Sequence, residues 1–107
     1  MQHGVVCLLM RREYEIESLL INNRLIKKLI IDPHVDKHSD HIDDELIKNI
    51  VASLSGGQYC PVKEEHGFSY FATNIEYEDS WYKLIWLLED NSLYLGVITA
   101  FKDRRIK

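Results

Sequence analysis

Three of the chain's five histidines, His34, His38 and His41, fall within eight residues of one another, in the stretch Asp32-Pro33-His34-Val35-Asp36-Lys37-His38-Ser39-Asp40-His41. Imidazole alternating with carboxylate suits zinc or another divalent ion, which makes a metal-dependent hydrolase one reading of the cluster. The spacing matches no standard zinc signature, since neither HExxH nor a Cys-based ligand set is present. A second reading is acid/base chemistry. A histidine just before or within the first turn of a helix titrates near neutrality, beside backbone N–H groups that attract an anion, and that combination suits a phosphodiester. The plainest reading is that these are capping and loop histidines that do no chemistry.

Two further groups of residues have chemical potential. Tyr82, Lys83 and Thr99 lie in the most apolar part of the chain, where a lysine could stabilise developing negative charge and a hydroxyl could position a reacting group. Against that, Tyr82 reads most simply as core and Lys83 as a strand-end residue whose stem snorkels to water. The other group is Lys102, Arg104, Arg105 and Lys107, which Arg24, Lys27 and Lys28 would enlarge if the fold joined them. Arginine forks suit phosphate, although a basic tail is more often a solvated end.

The elements that must position these residues follow from hydrophobic spacing. Glu13 to Glu17 alternates strictly, Leu19 to Ile21 and Leu25 to Ile31 are apolar, and Asn22-Asn23 tolerates positive φ, so a β-hairpin is expected. A helix over Glu13 to Leu20 competes with it, and Gly4 to Met10 is strand or buried helical turn. Pro33 ends the second strand. Ile42, Leu46, Ile47, Ile50, Val51 and Leu54 draw one apolar stripe on a helix, with Ser39 or Asp40 as N-cap, Asp43 and Asp44 in the first turn, and Gly56-Gly57 as its stop. Gly67 to Thr73 reads as a strand and Asn74 to Ser80 as a solvated acidic connection. Trp81 to Leu88 and Leu93 to Phe101 form a central hairpin. With Asp90-Asn91 as a two-residue loop, Leu88 would pair with Leu93, Leu84 with Val97, and Tyr82 with Thr99.

Composition sets the limits. At 107 residues, 46% hydrophobic and 28% charged, residues 1–107 read as a single domain with a real core. A net charge of −4 gives no global attraction for nucleic acid, so any such function needs a local basic patch. Cys7 and Cys60, far apart, fit reduced thiols in a cytoplasmic protein. The run from Val5 to Met10 is too short to span a membrane and lacks the flanks of a signal peptide, so no membrane association is expected.

The order Ile30-Ile31-Asp32-Pro33-His34, Lys37-His38, a helix, Phe68-Ser69-Tyr70-Phe71, Tyr82 to Leu88 and Gly96 to Phe101 resembles the small phage- and toxin-associated nucleases of the barnase, EndoU, colicin and RelE superfamily. The likeness spans about two thirds of the chain, Ile30 to Arg105. It implies an α+β fold in which one main amphipathic helix, about residues 40–55, packs on an antiparallel sheet of four or more strands. It further implies an endoribonuclease that works without a metal or other cofactor: a base activates the ribose 2′-hydroxyl, a cation steadies the phosphorane and an acid protonates the leaving oxygen.

Carried onto this chain, the resemblance puts the helix-mouth histidine at His38, with His34 or His41 as substitutes. It puts the polar strand position at Thr99 and basic contributors at Lys83, Arg104 and Arg105. Lys102 and Lys37 extend the RNA-binding set, and Tyr82 remains a catalytic candidate beside Lys83. A cognate antitoxin or immunity protein is then an expected partner. An acidic chain also suits the alternative, a non-catalytic antitoxin, immunity or host-interaction protein that meets a basic partner.

Overall fold

The computed structural model describes residues 11–32 and 42–104. Among these, β1 (Arg12–Ile21) and β2 (Arg24–Ile31) precede one helix, α1 (Asp44–Ala52), and four strands follow: β3 (Lys63–Glu65), β4 (Phe68–Tyr77), β5 (Ser80–Glu89) and β6 (Tyr94–Lys102). The fold is α+β, with a sheet ordered β1-β2-β6-β5-β4-β3. The sheet is mixed and not antiparallel as expected, because β2 runs parallel to β6, with Ile31 beside Val97. The helix occupies nine residues of the sixteen-residue window expected for it, and its N-cap is Asp43, not Ser39 or Asp40.

Three of the strand connections are two-residue turns with both residues at positive φ: Asn22-Asn23, His66-Gly67 and Glu78-Asp79. That backbone matches the right-handed twist of the flanking strands. β4 therefore continues through Asn74 to Tyr77, a segment expected to be a connection, with Ile75 buried while Glu76 faces solvent. The β5–β6 connection is longer than expected: Leu88 pairs with Leu95 and not with Leu93. Cys60 is an exposed free thiol.

One face of the sheet carries the core. Leu29 and Ile31 of β2, Leu84 and Trp86 of β5, and Leu95 and Val97 of β6 unite there with Ile47, Ile50 and Val51 of α1 and with Leu54 just beyond it. Trp86 lies at the centre. Its ring stacks on Phe71 at 4.1 Å, takes Tyr59 edge-on at 5.5 Å, and donates through Nε1 to Thr73 Oγ1 at 3.0 Å, so its one polar atom is satisfied in the interior.

Two irregularities reset the alternation of β1 and β2. Glu15 pairs with Lys28 but Leu19 pairs with Ile26, so Ile16, Glu17 and Ser18 stand opposite Lys27 alone. On β2 the N–H groups of Lys27 and Lys28 both donate to the Leu93 carbonyl, at 2.7 and 3.2 Å. These bulges let Tyr14 and Leu29 share the core face with Leu19, Ile21 and Ile26 although the spacing between them is odd.

The turn after α1 is tied to the first hairpin. The Leu20 N–H donates to Ser55 Oγ at 3.1 Å, and the Gly56 N–H to the Leu20 carbonyl at 2.6 Å. Asn22 then uses its amide as a second backbone: Oδ1 accepts from the Tyr59 N–H at 2.6 Å and Nδ2 donates to the Tyr59 carbonyl at 3.0 Å. Asn22→Gly keeps the positive φ and removes both bonds, so urea unfolding should show a loss of about 1–3 kcal/mol. Asn23→Gly, which loses only an exposed 3.2 Å contact with Gln58, is the control. Equal midpoints for the two variants would show that the Asn22 clamp contributes nothing.

Candidate functional site

His34, His38, His41 and Lys37, with Arg105 at the other end of the chain, lie outside the described residues. What is fixed is where the chain leaves the sheet before them and where it rejoins the helix after them. At the departure point the Asp32 N–H donates to the Val97 carbonyl at 2.9 Å, which extends the parallel β2–β6 ladder by one bond. Asp32 thus runs alongside Ile98, the neighbour of Thr99.

β6 bulges at this place. Trp86 pairs with Val97 and Ile85 with Thr99, which leaves Ile98 as the extra residue. A bulge of this kind re-aims a side chain, and here it brings Thr99 onto the sheet face opposite the core, with Ile85. Lys83 shares that outer face, two residues along β5, while Tyr82 turns inward and is buried. The expected pairing of Tyr82 with Thr99 is therefore replaced by pairing with Lys102, because two extra loop residues and the bulge move the register of β6 along β5. Lys83 and Thr99 share this face diagonally, Lys83 opposite Phe101 and Thr99 opposite Ile85; Tyr82 faces the other way.

Beside Asp32 the outer face holds a small cavity of 110 Å³, lined by Arg11, Ile30, Asp32, Leu87, Tyr94 and Ile98. The Tyr94 hydroxyl donates to Glu89 Oε1 at 2.9 Å. Its pKa is pushed up to about 12, by burial first and then by that hydrogen bond. Tyr94 therefore stays a neutral phenol at neutral pH, serving as a hydrogen-bond donor to Glu89.

The helix end of the stretch has its own polar cluster. Asp43 caps α1 by accepting from the Leu46 N–H at 2.9 Å. Asp44 Oδ2 accepts from Arg12 Nε at 2.7 Å and also from the Tyr14 hydroxyl, and Lys48 Nζ stands 4.0 Å over the Tyr14 ring. Alternation on β1 puts Arg12 and Tyr14 on one face, and helical spacing stacks Asp44 below Lys48. The Asp44 hydrogen bond, with burial behind it, raises the Tyr14 pKa. Each half of this cluster carries a sequence signal, an i,i+2 pair and an i,i+4 pair, but nothing in the sequence says that the two halves meet.

The basic residues do not merge into one patch. Lys28 pairs with Tyr94 at the start of β6, and Arg24 Nη1 donates to the Glu89 carbonyl nearby, whereas Lys102 and Arg104 lie at the far end of β6. Eight residues of strand separate the two groups by about 26 Å. Lys102 and Arg104 instead share an open cleft with Glu76, Asp79, Ser80 and Trp81. Among the described residues, no three His, Cys, Asp or Glu side chains gather as a metal site, and no helix is long and apolar enough to cross a membrane.

Comparison with known proteins finds no matching family, no matching curated protein and no matching solved structure.

Tyr94 provides a direct test of the outer-face geometry. Because folding favours the neutral phenol, its contribution to stability is complete below the ordinary value of 10.0 and falls as the pH rises toward about 12. Spectrophotometric titration of the folded chain should show a late phenol step that Tyr94→Phe abolishes. Loss of an early step instead would place Tyr94 in water.

Proposed function

We propose that this chain is a small endoribonuclease of toxin or phage type that cleaves RNA by metal-independent acid/base chemistry, on a RelE/barnase-like arrangement of helix and sheet. The observation that carries the reading is the Asp32–Val97 hydrogen bond, which starts the histidine-bearing stretch beside Thr99, on a sheet whose outer face also carries Lys83. Within this reading His38, with His41 or His34, supplies the base and acid, and Lys83 and Thr99 supply charge and position for the phosphorane. Arg12, paired with Asp44, and Lys48, over the Tyr14 ring and paired with Glu45, offer a second source of positive charge near the start of the helix. Lys37, Lys102, Arg104 and Arg105 contribute to RNA binding. A cognate antitoxin or immunity protein is the matching partner, and a cytoplasmic location goes with it.

A second reading has its own observation. Glu13, Glu15 and Glu17 form an exposed acidic row on the edge strand β1, and Glu15 and Glu17 face Glu45 of α1 across a 410 Å³ groove. Such a surface suits a non-catalytic protein that meets a basic partner.

One assay separates these readings from each other and from a metal hydrolase. The full chain, incubated with tRNA, rRNA and mRNA in EDTA, is expected to cleave, and His38→Ala to slow cleavage by about a hundredfold or more with the fold intact. Lys83→Met should lower kcat more than it raises KM. RNA left whole after prolonged incubation overturns the ribonuclease reading in favour of the acidic binder, and cleavage only with added divalent metal favours the hydrolase.

A further inference from the structure

β1 is the end strand of the sheet, and one side of its backbone has no strand beside it among the described residues. The hydrogen bonds of β2 show which groups lie on that side. The Lys28 and Asp32 N–H groups donate to the Leu93 and Val97 carbonyls, so Lys28, Ile30 and Asp32 turn their backbone toward β6, while Leu29 and Ile31 turn theirs toward Tyr14 and Arg12 of β1. Glu13 and Glu15, opposite Ile30 and Lys28, therefore direct their N–H and C=O groups away from the sheet.

Farther along, the chain itself occupies the same edge. The Leu20 N–H and C=O are bonded to Ser55 and Gly56, and the Asn22 N–H donates to the Gly57 carbonyl at 3.1 Å. The turn after α1 thus closes the edge from Leu20 onward. Glu13 to Ser18 is the stretch it leaves open.

The two faces of that stretch differ in chemistry. Arg12 and Tyr14 turn toward α1, where Asp44 holds both, so Glu13 and Glu15 stand exposed on the opposite face. Lys28 Nζ lies 3.7 Å from Glu13, whereas no ion pair reaches Glu15 or Glu17 among the described residues. On the helix side a 410 Å³ groove runs along Ile16 and Leu19, with Asn49 and Ala52 of α1 as its other wall. Ile16 is half-buried and Ala52 exposed, so an apolar strip borders the open backbone.

Glutamates on an edge strand keep a second copy from pairing there, because β1 laid against β1 sets carboxylate against carboxylate. On a strand that carries lysine or arginine they have the opposite effect. We propose that the edge from Glu13 to Ser18 takes up an extended basic segment of another protein as an added antiparallel strand. Its cations lie beside Glu13 and Glu15, and its alternate, apolar side chains enter the groove against Ile16 and Ala52. In such an addition the main chain supplies affinity and the alternation of side chains supplies specificity. The bulge at Ile16 to Ser18 ends the regular ladder, so backbone pairing is confined to Glu13 and Glu15 and the segment continues along the groove. The proposal rests on the reading of β1 as a surface for a basic partner, and it does not depend on RNA cleavage.

The test is a titration of the full chain with a labelled, end-capped peptide of alternating lysine and valine, about eight residues long so that it spans the open stretch. Anisotropy should show saturable binding, and a peptide of alternating glutamate and valine should not bind. At saturation, hydrogen exchange at the Glu13 and Glu15 amides should slow by about tenfold, while the Tyr14 amide, already bonded to β2, keeps its rate. Glu15→Gln with Glu17→Gln, two exposed positions, should weaken binding by about fivefold. In an antiparallel pair the lysines opposite Glu13 and Glu15 also supply the N–H groups that meet the edge. N-methylation of the lysine nitrogens should therefore cost about tenfold in affinity, and N-methylation of the valine nitrogens little.

Equal affinity of the two methylated peptides overturns the added strand and leaves an acidic surface that attracts basic peptides by charge alone. Absence of saturable binding by the lysine peptide overturns that surface as well. Glu13 and Glu15 amides already protected in the free chain, by a second copy or by the chain itself, show the edge to be occupied and overturn the proposal.

Discussion

The parallel pairing of β2 with β6 is the constraint on which the rest of the molecule depends. The strand pairs β1–β2, β3–β4, β4–β5 and β5–β6 join neighbours in sequence, each across a short turn, and form by local closure. The β2–β6 pairing alone brings distant parts of the chain together, and it must overcome the entropy of closing everything between Ile31 and Val97. It succeeds because both sides are buried. Leu29 and Ile31 meet Leu95 and Val97 at essentially zero exposure, and the ladder is closed by the paired Leu93 carbonyl at one end and by the Asp32–Val97 bond at the other.

That pairing also divides the chemistry between two faces. With the helix and the core on one side, Tyr82 is consumed by packing, while Lys83 and Thr99 are left together on the other side. The bulge at Ile98 matters here, because without it every residue after Val97 would face the opposite way and Thr99 would point into the core with Trp86. Asp32 leaves the sheet next to this bulge. Arg12 and Tyr14 stand where the helix begins, held on a single carboxylate oxygen of Asp44, with Lys48 over the Tyr14 ring. The histidine-rich stretch is therefore bounded at both ends by polar groups whose positions the sheet and helix dictate.

Much of this was legible in the residues, and what was not has a physical cause. Asn22-Asn23 announced the first hairpin because few side chains accept two successive positive φ values; Glu78-Asp79 makes the same turn and gave no such signal, since glutamate rarely adopts that backbone. The acidic run after Thr73 looked like a loop because its exposed face is polar, yet Ile75 and Tyr77 keep a strand's alternation on the face toward the core. Register was the weakest inference. A bulge has no reliable composition, so each one shifted the pairing of later residues, and the neighbour relations of Tyr82, Thr99 and Lys102 shifted with it. The Arg12–Asp44–Tyr14 cluster was invisible for a different reason: it is formed between elements thirty residues apart, and neither element names the other.

The acidic net charge is a weaker argument against RNA than it first looks, because charge acts locally. Glu13 of β1 lies opposite Ile30, which is level with Gly96, and Lys102 stands six residues farther along β6, a distance of about 20 Å. The screening length at physiological salt is about 8 Å, so the acidic row of β1 contributes almost nothing at the end of β6. The charges that count there are those of the cleft itself, Lys102 and Arg104 against Glu76, Asp79 and the buried Asp103. With two cations against three carboxylates, that end of the sheet is poor at gathering polyanion from a distance. The same separation lets the β1 face stay acidic without setting the potential at the other end of the sheet.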